Sequence, residues 1–186
     1  MNVPLVDLRK QYTPLKDDIL ERVGAALDGM HLFLGENVQA LEKEFAAFCG
    51  VAYGIGVSDG TAALQLILRA MGIGPGDEVI TVANTFVATV EAIALTGATP
   101  VFVDVCPDTY LMDVDQVPDA ITPQTRAILP VHLFGQTVDM ARLGEIARAH
   151  GLRLIEDACQ AHGAECAGRR AGGLGDAAAF SFYYSK

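Results

Sequence analysis

The chain has 186 residues, of which 51% are hydrophobic, and its formal net charge is -10 at neutral pH. This length and apolar content allow one packed core and exclude a mainly disordered chain. The 13 lysine and arginine residues are scattered, whereas nucleic-acid binding needs clustered positive charge. The composition therefore argues against a nucleic-acid partner.

The amino terminus carries charged side chains where a signal peptide needs an apolar run, and no stretch of about twenty apolar residues follows. We therefore expect a soluble, cytoplasmic protein without a membrane partner. The cysteines form no Cys-x-x-Cys pair, which favours reduced structural thiols. Cys159, His162 and Cys166 offer only three ligands without a recognised zinc spacing, so no metal site is predicted.

Two helical patterns open the chain, at residues 12–28 and 36–49, and we expect both to pack outside a sheet. From Tyr53 onward, short apolar runs alternate with longer helical patterns. This alternation predicts β-α-β units and a largely parallel sheet. The predicted strands are residues 54–57, 78–82, 100–103, 127–131, 152–155 and 178–182, and the predicted helices between them are residues 61–71, 86–95 and 140–150.

Residues 57–64 run from a predicted strand into a predicted helix, with Gly60 at the turn. Free amides at a helix start can bind phosphate, and glycine lets a ligand approach the backbone closely. An ordinary helix cap by Ser58 or Asp59 explains the same residues equally well. A dinucleotide-binding site is disfavoured for two reasons. The third glycine lies one position later than in the dinucleotide-binding fingerprint, and the acidic residues about twenty positions further on precede the next predicted strand instead of ending it.

Lys186 and the strand-ending Asp157 are the two groups that a pyridoxal-phosphate site requires. The aldehyde of that cofactor needs an amine, and its ring nitrogen needs a carboxylate that keeps it protonated. A surface lysine and a solvated acid at a turn are the simpler explanations. The apolar and aromatic residues before Lys186 indicate instead that the segment leading to the lysine is buried. Ser181, five residues earlier, is placed to reach a phosphate.

Two further side chains are candidates at the ends of predicted strands. Phe86 could stack on a flat cofactor, although a single phenylalanine is more often part of a core. Gln160 could turn towards the phenolic oxygen of a cofactor or could be an ordinary turn residue. Ligands of open parallel sheets bind outside the carboxyl ends of strands, so all these candidates are spatially compatible.

Seven segments carry a family resemblance, and in chain order they are residues 33–35, 60–64, 74–80, 85–89, 130–136, 156–163 and 180–186. Together they resemble the DegT/DnrJ/EryC1/StrS family of sugar aminotransferases, which are pyridoxal-phosphate enzymes of the aspartate-aminotransferase fold. The resemblance implies a fold type I large domain with three α/β/α layers and a mostly parallel sheet. Residues 1–186 would then hold the N-terminal segment and most of the cofactor-binding large domain, with the small C-terminal domain outside this sequence.

The resemblance also implies a role for each candidate. Lys186 would bind the cofactor aldehyde and act as the catalytic general base, and Asp157 would pair with the ring nitrogen. The other cofactor-binding residues would be Gln160 at the phenolic oxygen, Phe86 on the ring face, and Thr61, Ala62 and Ser181 at the phosphate. Asp59 stands where the family commonly has serine, and a carboxylate beside a phosphate is unfavourable unless it turns inward to cap the helix.

The resemblance implies that a lysine at position 186 favours transamination, because the family members that dehydrate sugars have histidine at this position. The resemblance thus implies a homodimeric aminotransferase of deoxysugar biosynthesis. It would transfer an amino group, usually from glutamate, to a keto group of a nucleotide-linked sugar. Two alternatives stay open: an aminotransferase for a keto-cyclitol, and a non-catalytic regulator that binds the cofactor or a sugar on the same fold.

Overall fold

The computed structural model describes Pro4, residues 7–30, residues 32–184 and Lys186. The strands in this part of the chain are β1 (Glu78–Val82), β2 (Thr99–Val103), β3 (Thr125–Ile128), β4 (Arg153–Asp157), β5 (Glu165–Cys166), β6 (Arg169–Arg170) and β7 (Ala177–Ala179). Five of them form a parallel sheet in the order β2-β1-β3-β4-β7, and β5 pairs with β6 in an antiparallel hairpin.

The helices flank this sheet or precede it in the chain. They are α1 (Arg9–Tyr12), α2 (Lys16–Asp28), α3 (Glu36–Cys49), α4 (Gly60–Ala70), α5 (Ala88–Thr96), α6 (Val117–Ala120) and α7 (Met140–His150), with 3₁₀ turns at Thr13–Leu15, Val114–Gln116 and Leu133–Gly135. Among the residues that the structure describes, no helix combines the length and apolar character needed to cross a bilayer.

Alternate residues of the strands face two helical layers. Val79 packs with Leu68 in the apolar cluster that includes α4 and α5. Its neighbour Ile80 packs with Leu143 of α7 in a second cluster on the opposite face. Parallel strands buried on both faces carry nearly continuous apolar sequence, as β1 does. The three-layer α/β/α fold with a mostly parallel sheet is therefore confirmed.

The prediction of a strand at residues 54–57 is wrong, because the structure has no strand there. The Gly56 amide donates to Glu42 Oε1 at 2.7 Å, and a Cβ atom added to Gly54 would lie 2.5 Å from the Glu42 carbonyl oxygen. The segment therefore lies against α3 and forms no ladder with any described strand.

Other elements agree with the prediction, with shifts at their ends. β1, α3 and α7 have the predicted bounds. β3 starts two residues early and ends at Ile128, after which Val131 keeps one isolated bridge to Asp157. β7 ends at Ala179 instead of residue 182. The β5–β6 hairpin was not predicted, because its two-residue strands carry no apolar alternation.

The prediction that the first helix packs against the sheet is wrong. Helix α2 has no buried residue, and Ile19, Val23 and Leu27 are each close to half exposed. Pro14 lies in a 3₁₀ turn before it, so the predicted single helix is divided. Helix α3, by contrast, buries Ala46 and Cys49.

Glu156, near the end of β4, is fully buried. Its Oε1 accepts the amides of Leu174 and Gly175, each at 2.8 Å. Its Oε2 accepts the Gly172 amide at 2.9 Å and His132 Nε2 at 3.1 Å. A carboxylate has about four acceptor positions, so Glu156 is saturated and ties the loop before β7 to β4.

The hydrogen bonds to Glu156 outweigh the effect of its burial. Burial favours the neutral form, but donation from His132 and from the amides of Gly172 and Gly175 lowers the pKa of Glu156 below its ordinary value of 4.5. His132 Nδ1 accepts the Val138 amide at 3.3 Å, so its ring hydrogen lies on Nε2 and points at Glu156.

We expect Glu156→Gln to lower the free energy of unfolding of the full-length protein by about 2–4 kcal/mol at pH 7, because the new amide hydrogens would face existing donors. The depressed pKa of Glu156 contributes stability that is present above the unfolded-state pKa and lost as the pH falls through the folded-state pKa. The variant should therefore show a flatter loss of stability in acid, measured by urea denaturation at a series of pH values. Glu145→Gln, on the exposed face of α7, is the matched control. Equal acid sensitivity of Glu156→Gln and the wild type would contradict this role.

Candidate functional site

The carboxyl ends of the parallel strands meet at one edge of the sheet. The chain passes from β1 to β2 on one side and then returns past β1 to β3 on the other. Ligand-binding crevices form at such a switch point, outside the carboxyl ends of the strands. The segments that follow β1, β3, β4 and β7 all contribute side chains here.

Asp157 ends β4 and is only 5% exposed. Its amide donates to the Pro130 carbonyl and its carbonyl accepts the His132 amide, both at 3.0 Å. In the side chain, Oδ2 accepts the Thr89 hydroxyl at 2.6 Å and Oδ1 accepts the Cys159 amide at 3.2 Å. Two of about four acceptor positions on this carboxylate are therefore used.

The Asp157 carboxylate has no cationic side chain beside it in the part of the chain that the structure describes: no lysine, arginine or histidine nitrogen lies within 4.0 Å of its oxygens. A buried carboxylate is costly unless a cation or several donors meet it. The site can therefore accept a positively charged N–H group of a ligand.

Asp59 caps helix α4, as the capping alternative predicted. Its Oδ1 accepts the Ala62 amide at 2.8 Å, and its Oδ2 accepts the Ser58 hydroxyl at 3.1 Å. These hydrogen bonds, with the Ala62 amide first, lower the pKa of Asp59. The Ala62 amide, which the resemblance assigns to a phosphate, is thus shared with a side chain of this protein, while Thr61 lies half-buried beside it.

Gly60 forms a close contact between helix α4 and the segments after β4 and β7. A Cβ atom at this position would lie 2.8 Å from Cys159 Sγ, 3.2 Å from Ser181 Cβ and 3.6 Å from the Phe180 carbonyl. The Ser181 oxygen accepts the Tyr183 amide at 3.3 Å, so its hydrogen remains available to a ligand. The helix start and Ser181 therefore border the same space.

An aromatic cluster holds the segment that contains Ser181. The His162 ring lies 5.2 Å from Phe180 and 5.1 Å from Phe182, measured between centroids. Phe45 of α3 meets Phe180 edge-on at 4.8 Å. Burial first, and the charge of Lys186 second, lower the pKa of His162. Its Nε2 atom is buried without a hydrogen-bond partner among the described residues.

Lys186 is exposed, and its amide donates to the Tyr183 carbonyl at 2.9 Å. The prediction that the segment before Lys186 is buried is wrong for its aromatic residues Phe182 and Tyr184, which are 64% and 65% exposed. Burial and then the nearby Asp157 charge raise the pKa of the Cys159 thiol, whereas the Lys186 charge acts in the opposite direction. Lys186 therefore lies within electrostatic reach of the side chains around Asp157.

Gln160 and Phe86 lie at the same edge of the sheet. Gln160 Oε1 accepts the Phe134 amide at 3.0 Å, which leaves the amide hydrogens of Gln160 available. Phe86 is 65% exposed and is therefore not a core residue, contrary to the simpler explanation of its sequence position. Its carbonyl accepts the Thr89 amide at 3.1 Å.

Three residues at this edge did not follow from the sequence. Thr89 and His132 lie inside motif segments but carried no assigned role, and Cys159 was interpreted only as a structural thiol. Their contacts join positions that are far apart in the chain, such as Thr89 and Asp157, which are 68 residues apart. The only sequence signal for Thr89 was its place in the segment after β1.

Comparison with known proteins gives consistent results. A family profile, described as the DegT/DnrJ/EryC1/StrS aminotransferase family, matches residues 14–186. A UDP-N-acetyl-3-dehydro-α-D-glucosamine 3-aminotransferase from Acidithiobacillus ferrooxidans is 50% identical over 184 residues, which cover 99% of this chain and 50% of the relative. A pleiotropic regulatory protein from Geobacillus stearothermophilus is 47% identical over 186 residues, which cover 100% of this chain and 50% of the relative.

The crystal structure of S. venezuelae DesV in complex with a ketimine intermediate has the same fold. It matches with a TM-score of 0.94 at 47% identity, over 99% of this chain and 50% of that chain. The present chain thus spans about half the length of the relatives that it matches. The profile match and the structural agreement show that the chain belongs to the DegT/DnrJ/EryC1/StrS aminotransferase family.

Proposed function

We propose that this chain is the cofactor-binding part of a pyridoxal-phosphate-dependent aminotransferase that aminates a keto group of a nucleotide-linked sugar. The observation that carries the proposal is the buried Asp157 carboxylate, which has two acceptor positions left and no cationic side chain within 4.0 Å among the described residues. A protonated pyridine nitrogen satisfies this requirement.

The neighbouring residues fit the rest of this cofactor. The close approach around Gly60 gives a phosphate access to the start of α4 and to the Ser181 hydroxyl. Thr61 and Ala62 supply amides there, and Asp59 has to share the Ala62 amide.

The amide hydrogens of Gln160 can donate to a phenolic oxygen, since its Oε1 is already bonded. The exposed ring of Phe86 is free to stack on a flat cofactor. Lys186 supplies the amine for the aldehyde. All of these residues lie at the carboxyl edge of the sheet, which supports one shared site.

When bound, pyridoxal phosphate supplies an aldehyde that condenses with amines and a protonated ring that accepts electrons. The Asp157 carboxylate would hold the ring nitrogen and favour its protonated form. Lys186 Nζ would hold the aldehyde of the cofactor and, once an amino donor had freed it, would serve as the general base that accepts and returns a proton.

The choice of a UDP-linked 3-keto sugar is by analogy with the relative in Acidithiobacillus ferrooxidans, whose name contains UDP-N-acetyl-3-dehydro-α-D-glucosamine. Glutamate as the amino donor, a homodimeric assembly, a cytoplasmic location and a small domain outside residues 1–186 belong to the same proposal and rest on the family resemblance. Because one relative is named as a regulatory protein, the experiment below also has to distinguish catalysis from a non-catalytic regulatory role. A regulator needs no amine nucleophile, so Lys186 favours catalysis.

The central test is covalent capture of the cofactor in the full-length protein. We expect added pyridoxal phosphate to give a visible absorbance band that borohydride abolishes, with the reduced cofactor found by peptide mapping on Lys186. Lys186→Ala should lose the band, whereas Lys16→Ala on exposed helix α2 should keep it. Transfer of an amino group from glutamate to a UDP-linked 3-keto sugar, but not to a keto-cyclitol, would complete the assignment. Absence of the band in the wild-type protein would overturn the proposal.

The packing at Gly60 gives a second prediction. Gly60→Ala places a Cβ atom 2.8 Å from Cys159 Sγ and 3.2 Å from Ser181 Cβ, so α4 and Ser181 must move apart. We expect an affinity for pyridoxal phosphate that is lower by about tenfold, from overpacking of about 1–3 kcal/mol. Gly24→Ala in α2, where nothing lies within 4 Å of the added atom, is the matched control and should bind normally. Unchanged affinity in Gly60→Ala would remove this region from the proposed phosphate site.

Asp59 gives a third prediction, which is specific to this chain. Asp59→Ser keeps a side chain that caps α4 but removes a negative charge from beside the proposed phosphate. We expect several-fold tighter binding of pyridoxal phosphate at low salt, with a smaller gain at high salt. Asp59→Ala should show the same gain in affinity together with a lower melting temperature, because the cap is lost. Weaker binding in Asp59→Ser would show that Asp59 supports the phosphate site.

A further inference from the structure

We propose that Thr89 is a positioning residue that orients the Asp157 carboxylate for the ring nitrogen of pyridoxal phosphate and couples it to Phe86. This inference rests on the function proposed above. Thr89 is fully buried at the first turn of α5, whereas Asp157 ends β4. Their side chains meet at 2.6 Å across β3, which lies between β1 and β4 in the sheet.

The direction of this hydrogen bond follows from the available hydrogens. A carboxylate only accepts, so the Thr89 hydroxyl donates to Asp157 Oδ2. The Thr85 hydroxyl lies 2.7 Å from the Thr89 oxygen and can then donate to it. The result is a directed chain of hydroxyls from Thr85 through Thr89 to the carboxylate, in which each member polarises the next.

The bond determines how the carboxylate is rotated. The last torsion of an aspartate side chain is broad, so the plane of the carboxylate depends on its partners. Thr89 holds Oδ2, and the Cys159 amide holds Oδ1 at 3.2 Å. With one donor on each oxygen, the two acceptor positions that remain have a fixed direction. Without Thr89, only the longer bond from Cys159 restrains the group.

Thr89 also contacts the segment that carries the proposed stacking residue. Its amide donates to the Phe86 carbonyl at 3.1 Å, and its hydroxyl oxygen lies 3.2 Å from the same carbonyl. Helix α5 packs on α4, whose start borders the proposed phosphate position. One buried residue therefore relates the two segments, with its hydroxyl on the ring-nitrogen partner and its backbone amide on the ring-stacking segment.

The test uses the full-length protein and 4'-deoxypyridoxine 5'-phosphate, a probe without the aldehyde, so that Lys186 does not contribute to binding. The variants are Thr89→Val, Thr89→Ser, Asp157→Asn and the double variant Thr89→Val/Asp157→Asn. We expect Thr89→Val to weaken probe binding by about tenfold or more, the scale of a hydrogen bond to a charged group. Thr89→Ser should restore most of the affinity. In the Asp157→Asn background, Thr89→Val should add little further loss, because the two residues act through one interaction.

A probe with carbon in place of the ring nitrogen separates positioning from general packing. A positioning role predicts that Thr89→Val has little effect on binding of this second probe. An equal loss for both probes, or wild-type affinity of Thr89→Val for the first, would overturn the inference. If Thr89→Val does not fold, Thr89→Ala against Thr89→Ser gives the same comparison of a missing and a retained hydroxyl. Wild-type affinity of Asp157→Asn would instead reject the proposed function, whatever Thr89 does.

Discussion

The end of β4 carries two successive carboxylates that are both buried, and the rest of the site depends on how each is satisfied. Strand pleating sends adjacent side chains to opposite faces of the sheet. Glu156 therefore lies on the face of α7, where three amides and His132 use all its acceptor positions. Asp157 lies on the face of α5 with one hydroxyl and one amide. The first carboxylate is internal structure, and the second remains open to a ligand.

The sequence predicted the elements whose apolar periodicity was strong. β1 and α7 have the predicted bounds because their patterns are buried on the expected faces. Residues 54–57 show the limit of this reasoning, since an apolar and glycine-rich run resembles a strand whether or not a partner exists. Here the Gly56 amide is used by a Glu42 side chain, a contact that no local pattern contains.

The same distinction applies to the candidate site. Asp157 and Lys186 could be proposed from the sequence because each has a chemical role that its position in a motif suggests. Thr89 and the contact of Gly60 with Cys159 depend on three-dimensional packing between segments that are distant in the chain. The aromatic residues before Lys186 are expected to bury it, but the rings of Phe182, Tyr183 and Tyr184 are largely exposed, because composition does not determine which surface a segment contacts.

The register of β4 decides which of its two carboxylates can serve a ligand. Ile155, Glu156 and Asp157 pair with Ala177, Ala178 and Ala179 of β7, respectively. A slip of one residue would turn Glu156 towards α5 and Asp157 towards the loop amides. Four fixed donors around Glu156 oppose such a slip, because the Glu156 carboxylate would lose all of them while it remained buried. Structural saturation of Glu156 thereby keeps Asp157 on the ligand side of the sheet.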